Sequence, residues 1–498
     1  MKKLLCATLQ EIDAKKVEVE ISFIRSLPSV SIVGLPQTAV KEALQRVLVS
    51  LNTIDLKLPP KKLVINLSPS DIKKDGTQFD LPIALLIALY KEDMELNDIV
   101  AFGELGLDGK VKDTDSIFPI VLSLANDFKD KIIIVPKDSF EKLSKIPNLK
   151  LLPVETLKEA VKVIKEKKEP FASGLSLKYD FININGQNYY FTNNFIEDFK
   201  DIKGQKRAIR ASLIAASGFH NILFEGSPGC GKSMCAKRLR FILPPMSLDE
   251  ILQKAKMDSL SGKEVDFEPV RTMRDPHHTA SRASIFGGAN RSIGEIAFAN
   301  NGIFFADEFP HFQKSVLESL REPLQDHKIL VSRVKDKIEY ETKFMLVAAQ
   351  NPCPCGNLFS KTKECRCSEL EIKRYKNRLS NALLDRIDIY VQMEEVNFDD
   401  KPVSSSKDMF VKVLKAFKMQ KKRGQKDFNG KLSDADINRY CTMDTQADNI
   451  LNNAIINFEL SQRAINNIKK VSRTIADLDE SENITKEHLL EALSYRMK

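Results

Sequence analysis

Gly226-Ser227-Pro228-Gly229-Cys230-Gly231-Lys232-Ser233 is the stretch that decides the reading of this chain. It fits the pattern G-x-x-x-x-G-K-[ST]. An apolar run, Ile222-Leu223-Phe224, precedes it, and a helix-like stretch from Met234 to Leu239 follows. Strand, loop and helix in that order are the setting a phosphate-binding loop requires. Its glycines let backbone N–H groups close around phosphate oxygens. Lys232 is expected to reach the β and γ phosphates of ATP, and the Ser233 hydroxyl to hold Mg2+. The bland alternative is a glycine-rich turn with a surface lysine, and the flanking pattern argues against it. Cys230, inside the loop, is a candidate for making ATP use sensitive to oxidation.

The segments downstream supply what such a loop needs around it. Ile303-Phe304-Phe305-Ala306-Asp307-Glu308 reads as an apolar strand ending in two acids. Asp307 is expected to ligand Mg2+ through water, and Glu308 to activate the attacking water. A second apolar strand, Phe344 to Ala349, ends in Gln350-Asn351, so Asn351 is placed to touch the γ-phosphate or to position water. Arg386, in Leu383-Leu384-Asp385-Arg386-Ile387-Asp388, suits an arginine finger reaching a neighbouring subunit's nucleotide. A surface ion pair with Asp385 or Asp388 is its alternative. Arg463 opens an amphipathic helix near the C-terminus. Taken alone it is a solvated charge; taken with the rest, it reaches back to the phosphates.

Composition bounds the class. The chain has 498 residues, 43% hydrophobic and 29% charged, as in ordinary globular proteins, and is too long for one core. A net charge of +8 permits a nucleic-acid partner without demonstrating one. The longest apolar run, Leu81 to Tyr90, is too short to span a bilayer. The N-terminus lacks the apolar core of a signal peptide. A cytoplasmic protein with no membrane partner is expected, and there thiols stay reduced. Four regions are read: an α/β unit over 1–170, a linker over 171–195 with a short extended piece, an alternating strand-helix core over 196–400, and a nearly all-helical region over 401–498.

In order along the chain, further segments join these: Ile202-Lys203-Gly204-Gln205, Arg274-Asp275-Pro276-His277-His278-Thr279, Phe286-Gly287-Gly288, Asn351-Pro352-Cys353-Pro354-Cys355-Gly356 and Arg473-Thr474-Ile475-Ala476-Asp477-Leu478. Together they resemble an AAA+ ATPase of the magnesium-chelatase-like branch, and more closely the ComM/YifB family, over essentially the whole chain. The resemblance implies a P-loop AAA+ α/β core and an all-helical lid. It gives Lys232, Ser233, Asp307, Glu308, Asn351, Arg386 and Arg463 the Walker A, Walker B, sensor 1, arginine finger and sensor 2 roles. It also implies a homo-hexameric ring acting on single-stranded or branched DNA beside recombinase machinery. The work implied is helicase-type branch migration of recombination intermediates in natural transformation. Two other functions compete: the motor subunit of a metal chelatase, and a non-helicase AAA+ regulator or remodeller.

Val33-Gly34-Leu35-Pro36, Asn66-Leu67-Ser68-Pro69 and Phe79-Asp80-Leu81-Pro82 match the N-terminal domain of the same family, which resembles the Lon protease domain, a ribosomal S5-like α+β fold. The resemblance places Gln78 where Lon has its nucleophilic serine, and Phe118 near the place of its lysine. Without a serine-lysine dyad no peptidase activity is expected.

Cys353, Cys355, Cys365 and Cys367 form C-x-C-x9-C-x-C. Four thiolates in one short loop suit tetrahedral Zn2+, and reduced thiols lining a packed loop are the alternative. His277-His278, near Arg274 and Arg282, reads as a polar loop facing a pore or a neighbouring subunit rather than as a metal site. Two inserts are candidates for lining a pore. Ser284 to Glu295 carries Arg291. Ile329 to Lys343 reads as a hairpin presenting Arg333, Lys335 and Lys337 to a phosphate backbone, with a solvated edge as the alternative.

Overall fold

The computed structural model describes residues 2–56, 58, 61–174, 177–288, 293–332, 337–396 and 399–496. The chain divides into two compact units, Met1–Lys178 with Leu252–Phe267, and Tyr179–Ile251 with Glu268–Lys498. The first therefore includes a segment from within the expected 196–400 core.

The first unit is built on an eight-stranded mixed sheet. Its long hairpin, Lys2–Gln10 with Asp13–Ile24, follows from the alternation in the second strand: Val17, Val19 and Ile21 are buried and their neighbours less so. Helix Asp80–Ala88 is apolar on nearly every side and is buried. Its first residue, Asp80, has a fully buried side chain held by Arg46 at 2.7 and 3.1 Å and by the Leu105 N–H at 3.1 Å. Burial pushes the Asp80 carboxyl up to about 6, against the opposing pull of Arg46.

The second unit centres on a five-stranded parallel sheet. Its order is Met273–Arg274, Ile303–Ala306, Met345–Gln350, Ile222–Glu225, Ile389–Gln392. The three middle strands are buried at every residue, so they read in sequence as unbroken apolar runs rather than alternations. Because strand Ile222–Glu225 lies between two strands that follow it in sequence, the loops after it and after Met345–Gln350 open side by side, as ligand sites on such sheets do.

Asn221 ties this sheet together. Its N–H donates to Asp388 Oδ2 at 2.9 Å, and its side-chain amide donates to Arg386 O at 2.8 Å. Its Oδ1 accepts from Leu346 N at 3.0 Å and from Lys431 Nζ at 3.1 Å. The C-terminal region is helical as expected, with long helices Ser406–Lys422, Thr445–Phe458 and Gln462–Leu478. Residues 180–191, in the expected linker with its short extended piece, form a hairpin, Asp180–Ile184 with Gln187–Phe191, that pairs with Met246–Ser247. Tyr189 packs against Phe417 in a small cluster, and Phe191 packs against Phe410 of the unit's main core. Among the described residues no helix is long and apolar enough to cross a membrane.

The segment Arg473 to Leu478 proves to be a buried ionic knot. Arg473 and Asp477 are both fully buried and bonded to each other at 3.1 Å. Arg473 also donates to the carbonyls of Ser481 and Glu482, while Asp477 accepts from Arg423 at 2.8 Å and from Asn429 at 2.8 Å. Removing one side leaves a buried charge unpaired. Asp477→Ala is expected to destabilise the second unit by about 3–5 kcal/mol, read by chemical denaturation, whereas breaking an exposed pair such as Lys415–Glu480 should cost far less.

Candidate functional site

The octapeptide joins strand Ile222–Glu225 to helix Lys232–Leu239. Gly231 precedes the helix with φ of 98°, a conformation that a side chain at this position would strain. The helix N-terminus thus faces the loop and supplies unpaired N–H groups. Ser227 Oγ is buried and has no hydrogen-bond partner among the described residues.

Lys232 is half-buried, and its ammonium lies among neutral oxygens. It donates to Gly226 O at 2.6 Å, to Ser227 O at 3.0 Å and to Asn351 Oδ1 at 3.1 Å. Burial lowers its pKa, with Asp307 and Glu225 pulling weakly the other way. Ser233 Oγ donates to Asp307 Oδ2 at 2.9 Å, and the other oxygen of Asp307 accepts from the Glu308 N–H at 2.9 Å. Lys232, Ser233, Asp307, Glu308 and Asn351 are therefore one constellation, drawn from the tips of three adjacent parallel strands. The donor set suits a magnesium-bound polyphosphate: a half-buried cation with no carboxylate in hydrogen-bond reach among the described residues, a helix N-terminus, and a hydroxyl-carboxylate pair of hard oxygens. Burial pushes the Cys230 thiol up, the opposite of what a reactive thiolate needs.

Glu308 takes a left-handed backbone with φ of 51°. Its carboxylate lies 3.3 Å from His278 Nδ1 and 3.4 Å from His311 Nδ1. His278 stacks near His277, and His311 meets the Tyr375 ring edge-on. His311 is three residues from Glu308, so this partner was open to sequence reasoning. His278 comes from another part of the fold, and nothing in its spacing connects it to Glu308.

Arg386 and Arg463 converge elsewhere. Both guanidinium groups donate to Gln325 Oε1, Arg463 at 3.0 Å, and Arg386 donates further to Arg321 O at 3.0 Å and to Ala382 O. Asp388, one expected partner of Arg386, instead lies beside the buried His220 at 3.4 Å. Burial and the charges of Arg463 and Arg321 lower the Arg386 pKa. Among the described residues neither Arg386 nor Arg463 hydrogen-bonds to a carboxylate or to the phosphate-binding loop. Gln325 gave no sequence signal.

The four cysteines of the loop after Asn351 come together. Three of their sulfurs are 3.4, 3.7 and 3.6 Å apart, and all four lie within 4.8 Å of one another. Sulfurs about 2.3 Å from a shared Zn2+ stand about 3.8 Å apart, whereas a disulfide would bring two to about 2.05 Å. The cluster thus has the size of a four-thiolate metal centre. Backbone N–H groups of Asn357 and Arg366 reach Cys355, and that of Leu358 reaches Cys353.

In the first unit, Gln78 donates to Ala7 O at 3.2 Å and to Asp75 O at 3.0 Å and accepts from Ser116 at 3.2 Å. Phe118 is buried against Phe267. Of the expected DNA contacts, Arg291, Arg333 and Lys335 lie outside the described residues. Lys337 is described only through its backbone, where it pairs with Ser332 in the hairpin Lys328–Ser332 with Lys337–Glu341.

Three family models match the chain: "Magnesium chelatase, subunit ChlI" over residues 198–401, "Subunit ChlI of Mg-chelatase" over 17–139, and "Magnesium chelatase, subunit ChlI C-terminal" over 403–496. Among curated proteins, it is 36% identical to Competence protein ComM of Haemophilus influenzae, over 97% of this chain and 95% of that one. It is 34% identical to the protein YifB of Escherichia coli over the same shares. A Mycobacterium tuberculosis protein, Rv2897c, is 32% identical over 77% of this chain and 75% of its own.

Ser233→Ala removes the hydroxyl that meets Asp307 and leaves the loop backbone intact. It is expected to weaken ATP binding by about tenfold or more in Mg2+ and much less in EDTA, as titration with a fluorescent ATP analogue would show.

Proposed function

Because the chain belongs to the ComM/YifB family of magnesium-chelatase-like AAA+ proteins, we propose that its ATP site drives a ring-shaped DNA motor. The work is branch migration of recombination intermediates during natural transformation. The family carries ATPase activity with ATP and Mg2+, and the name of the Haemophilus relative, Competence protein ComM, supports the link to competence. In this reading Lys232 and the loop backbone hold the phosphates, while Ser233 and Asp307 hold Mg2+, which neutralises charge on the transferred phosphoryl group when bound. Glu308 takes a proton from the attacking water, and Asn351 orients it.

The observation that carries the ring is the pairing of Arg386 with Arg463 at Gln325. Two guanidinium groups that share one neutral acceptor, with no carboxylate bonded to either among the described residues, form a site for an anion. Their hydrogen bonds run to Gln325, Arg321 and Ala382 rather than to the phosphate-binding loop of the same chain, so the anion they suit is the nucleotide of a neighbouring copy. DNA follows the pore of that ring, with Arg291, Arg333, Lys335 and Lys337 as its contacts. Cys353, Cys355, Cys365 and Cys367 hold Zn2+. The first unit is a Lon-like fold without peptidase chemistry: Gln78 stands in the nucleophile's place with its amide committed to main-chain carbonyls, and Phe118 stands near that of the base.

The chelatase-motor reading draws on the family descriptions alone. Against it stands the whole-chain match to the competence protein, first unit included. The readings separate in a turnover assay with forked and three-stranded DNA. The motor reading expects ATP hydrolysis to rise several-fold with DNA and a strand to be displaced; turnover indifferent to DNA, with no displacement, sinks it.

Two variants test the site. Glu308→Gln should bind ATP as tightly as the parent yet lose about 100-fold or more in turnover. Arg386→Ala and Lys232→Ala should each be inactive alone, and mixing the two should restore part of the activity. No recovery on mixing would place Arg386 outside a shared site.

A further inference from the structure

We propose that the Cys353, Cys355, Cys365 and Cys367 centre, loaded with a single Zn2+, is a structural wall of the ATP site, so that nucleotide affinity follows metal occupancy. This rests on the ATPase and zinc readings above and adds a coupling between them.

The two sites share a segment of chain. Asn351, whose side chain accepts from Lys232 at 3.1 Å, stands two residues before the buried Cys353. The first C-x-C closes a turn through Gly356 N–H to Cys353 O at 3.0 Å, with Gly356 at φ of 78°. That turn lies against the phosphate-binding loop: a Cβ on Gly356 would come within 2.6 Å of Pro228 Cδ. No side chain fits there without moving Pro228.

The second C-x-C leads into a helix that returns to the same place. Ser368, next to Cys367, caps helix Glu369–Lys376 in a reciprocal box with Glu371. From this helix the buried Tyr375 reaches back, its ring edge-on to His311, which lies beside Glu308. A metal held by both C-x-C turns thus ties the segment from Asn351 to Gly356 to a helix whose Tyr375 packs on His311, the neighbour of Glu308. Midway, Ser360 and Lys361 are anchored on Glu395. The adjacent Glu394 carbonyl accepts from Gln205, which also donates to Cys230 O at 3.2 Å in the phosphate-binding loop. The cysteine loop therefore meets the ATP site by two routes.

Four sulfurs this close, without an ion between them, hold no attractive interaction of comparable strength. A thiophilic divalent cation fits the all-sulfur set, while Mg2+ and Ca2+ prefer oxygen. Losing the ion frees the Gly356 turn from the Cys365 side and loosens Asn351 and Pro228 together.

The test uses the full chain purified under reducing conditions. Zinc is measured by metal analysis, and affinity for a fluorescent ATP analogue is measured before metal stripping, after it, and after Zn2+ is restored. Cys355→Ser with Cys367→Ser removes ligands, and Gly356→Ala keeps all four cysteines while pressing on Pro228. The expected result is one zinc per chain and at least about tenfold weaker binding in the stripped protein and the double variant, reversed by Zn2+ only in the parent. Gly356→Ala should retain zinc and still bind nucleotide more weakly. Zinc present with affinity unchanged on stripping, or Gly356→Ala binding like the parent, overturns the coupling and leaves the zinc reading standing. A parent that takes up no zinc overturns the metal centre itself, and one that binds no nucleotide in any form overturns the ATPase reading. Should the double variant fail to fold, the stripping series and Gly356→Ala decide.

Discussion

The Lys232 ammonium, half-buried and bonded to Gly226 O, Ser227 O and Asn351 Oδ1, is the interaction around which the second unit is arranged. A cation taken partly out of water and given only neutral partners favours an anion. The parallel sheet makes this possible by ending three neighbouring strands at one edge: Ile222–Glu225 delivers the loop, Met345–Gln350 delivers Asn351, and Ile303–Ala306 delivers Asp307 and Glu308. Shifting any of these strands by one residue would turn its tip residue to the opposite face and dismantle the constellation.

The same sheet is tied to the lid at its other end. His220 and Asn221, just before the central strand, bond to Thr474, Asp388, Arg386 O, Leu346 N and Lys431. Burial lowers the His220 pKa against the pull of Asp388. The strand that carries the phosphate-binding loop is thus fastened at its start to the helical region that carries Arg463. The buried knot of Arg473, Asp477, Arg423 and Asn429 holds that helical region together.

Local signals carried much of this into the sequence. The octapeptide, the strand ending in Asp307-Glu308 and the strand ending in Asn351 each declare themselves within ten residues, because a fully buried parallel strand is an apolar run and its functional tip is polar. What stayed hidden depends on distance in sequence. His278 meets Glu308 across 30 residues, and Gln325 joins Arg386 to Arg463 across 61 and 138. The pairing of 180–191 with Met246–Ser247, and the return of Leu252–Phe267 to the first unit, are likewise long-range facts without local patterns. The cysteine spacing announced a cluster; that its turn would press on Pro228 was visible only in three dimensions.

The central claim is that this ATP site is one half of a site shared between copies in a ring that moves DNA. An image of the protein with a non-hydrolysable ATP analogue and three-stranded DNA tests it most directly. The account predicts a closed ring, Arg386 or Arg463 turned toward the γ-phosphate held by the next copy's Lys232, and a DNA strand in the central channel. A monomer or open assembly, with both arginines remaining on Gln325 and DNA absent from any channel, would contradict it.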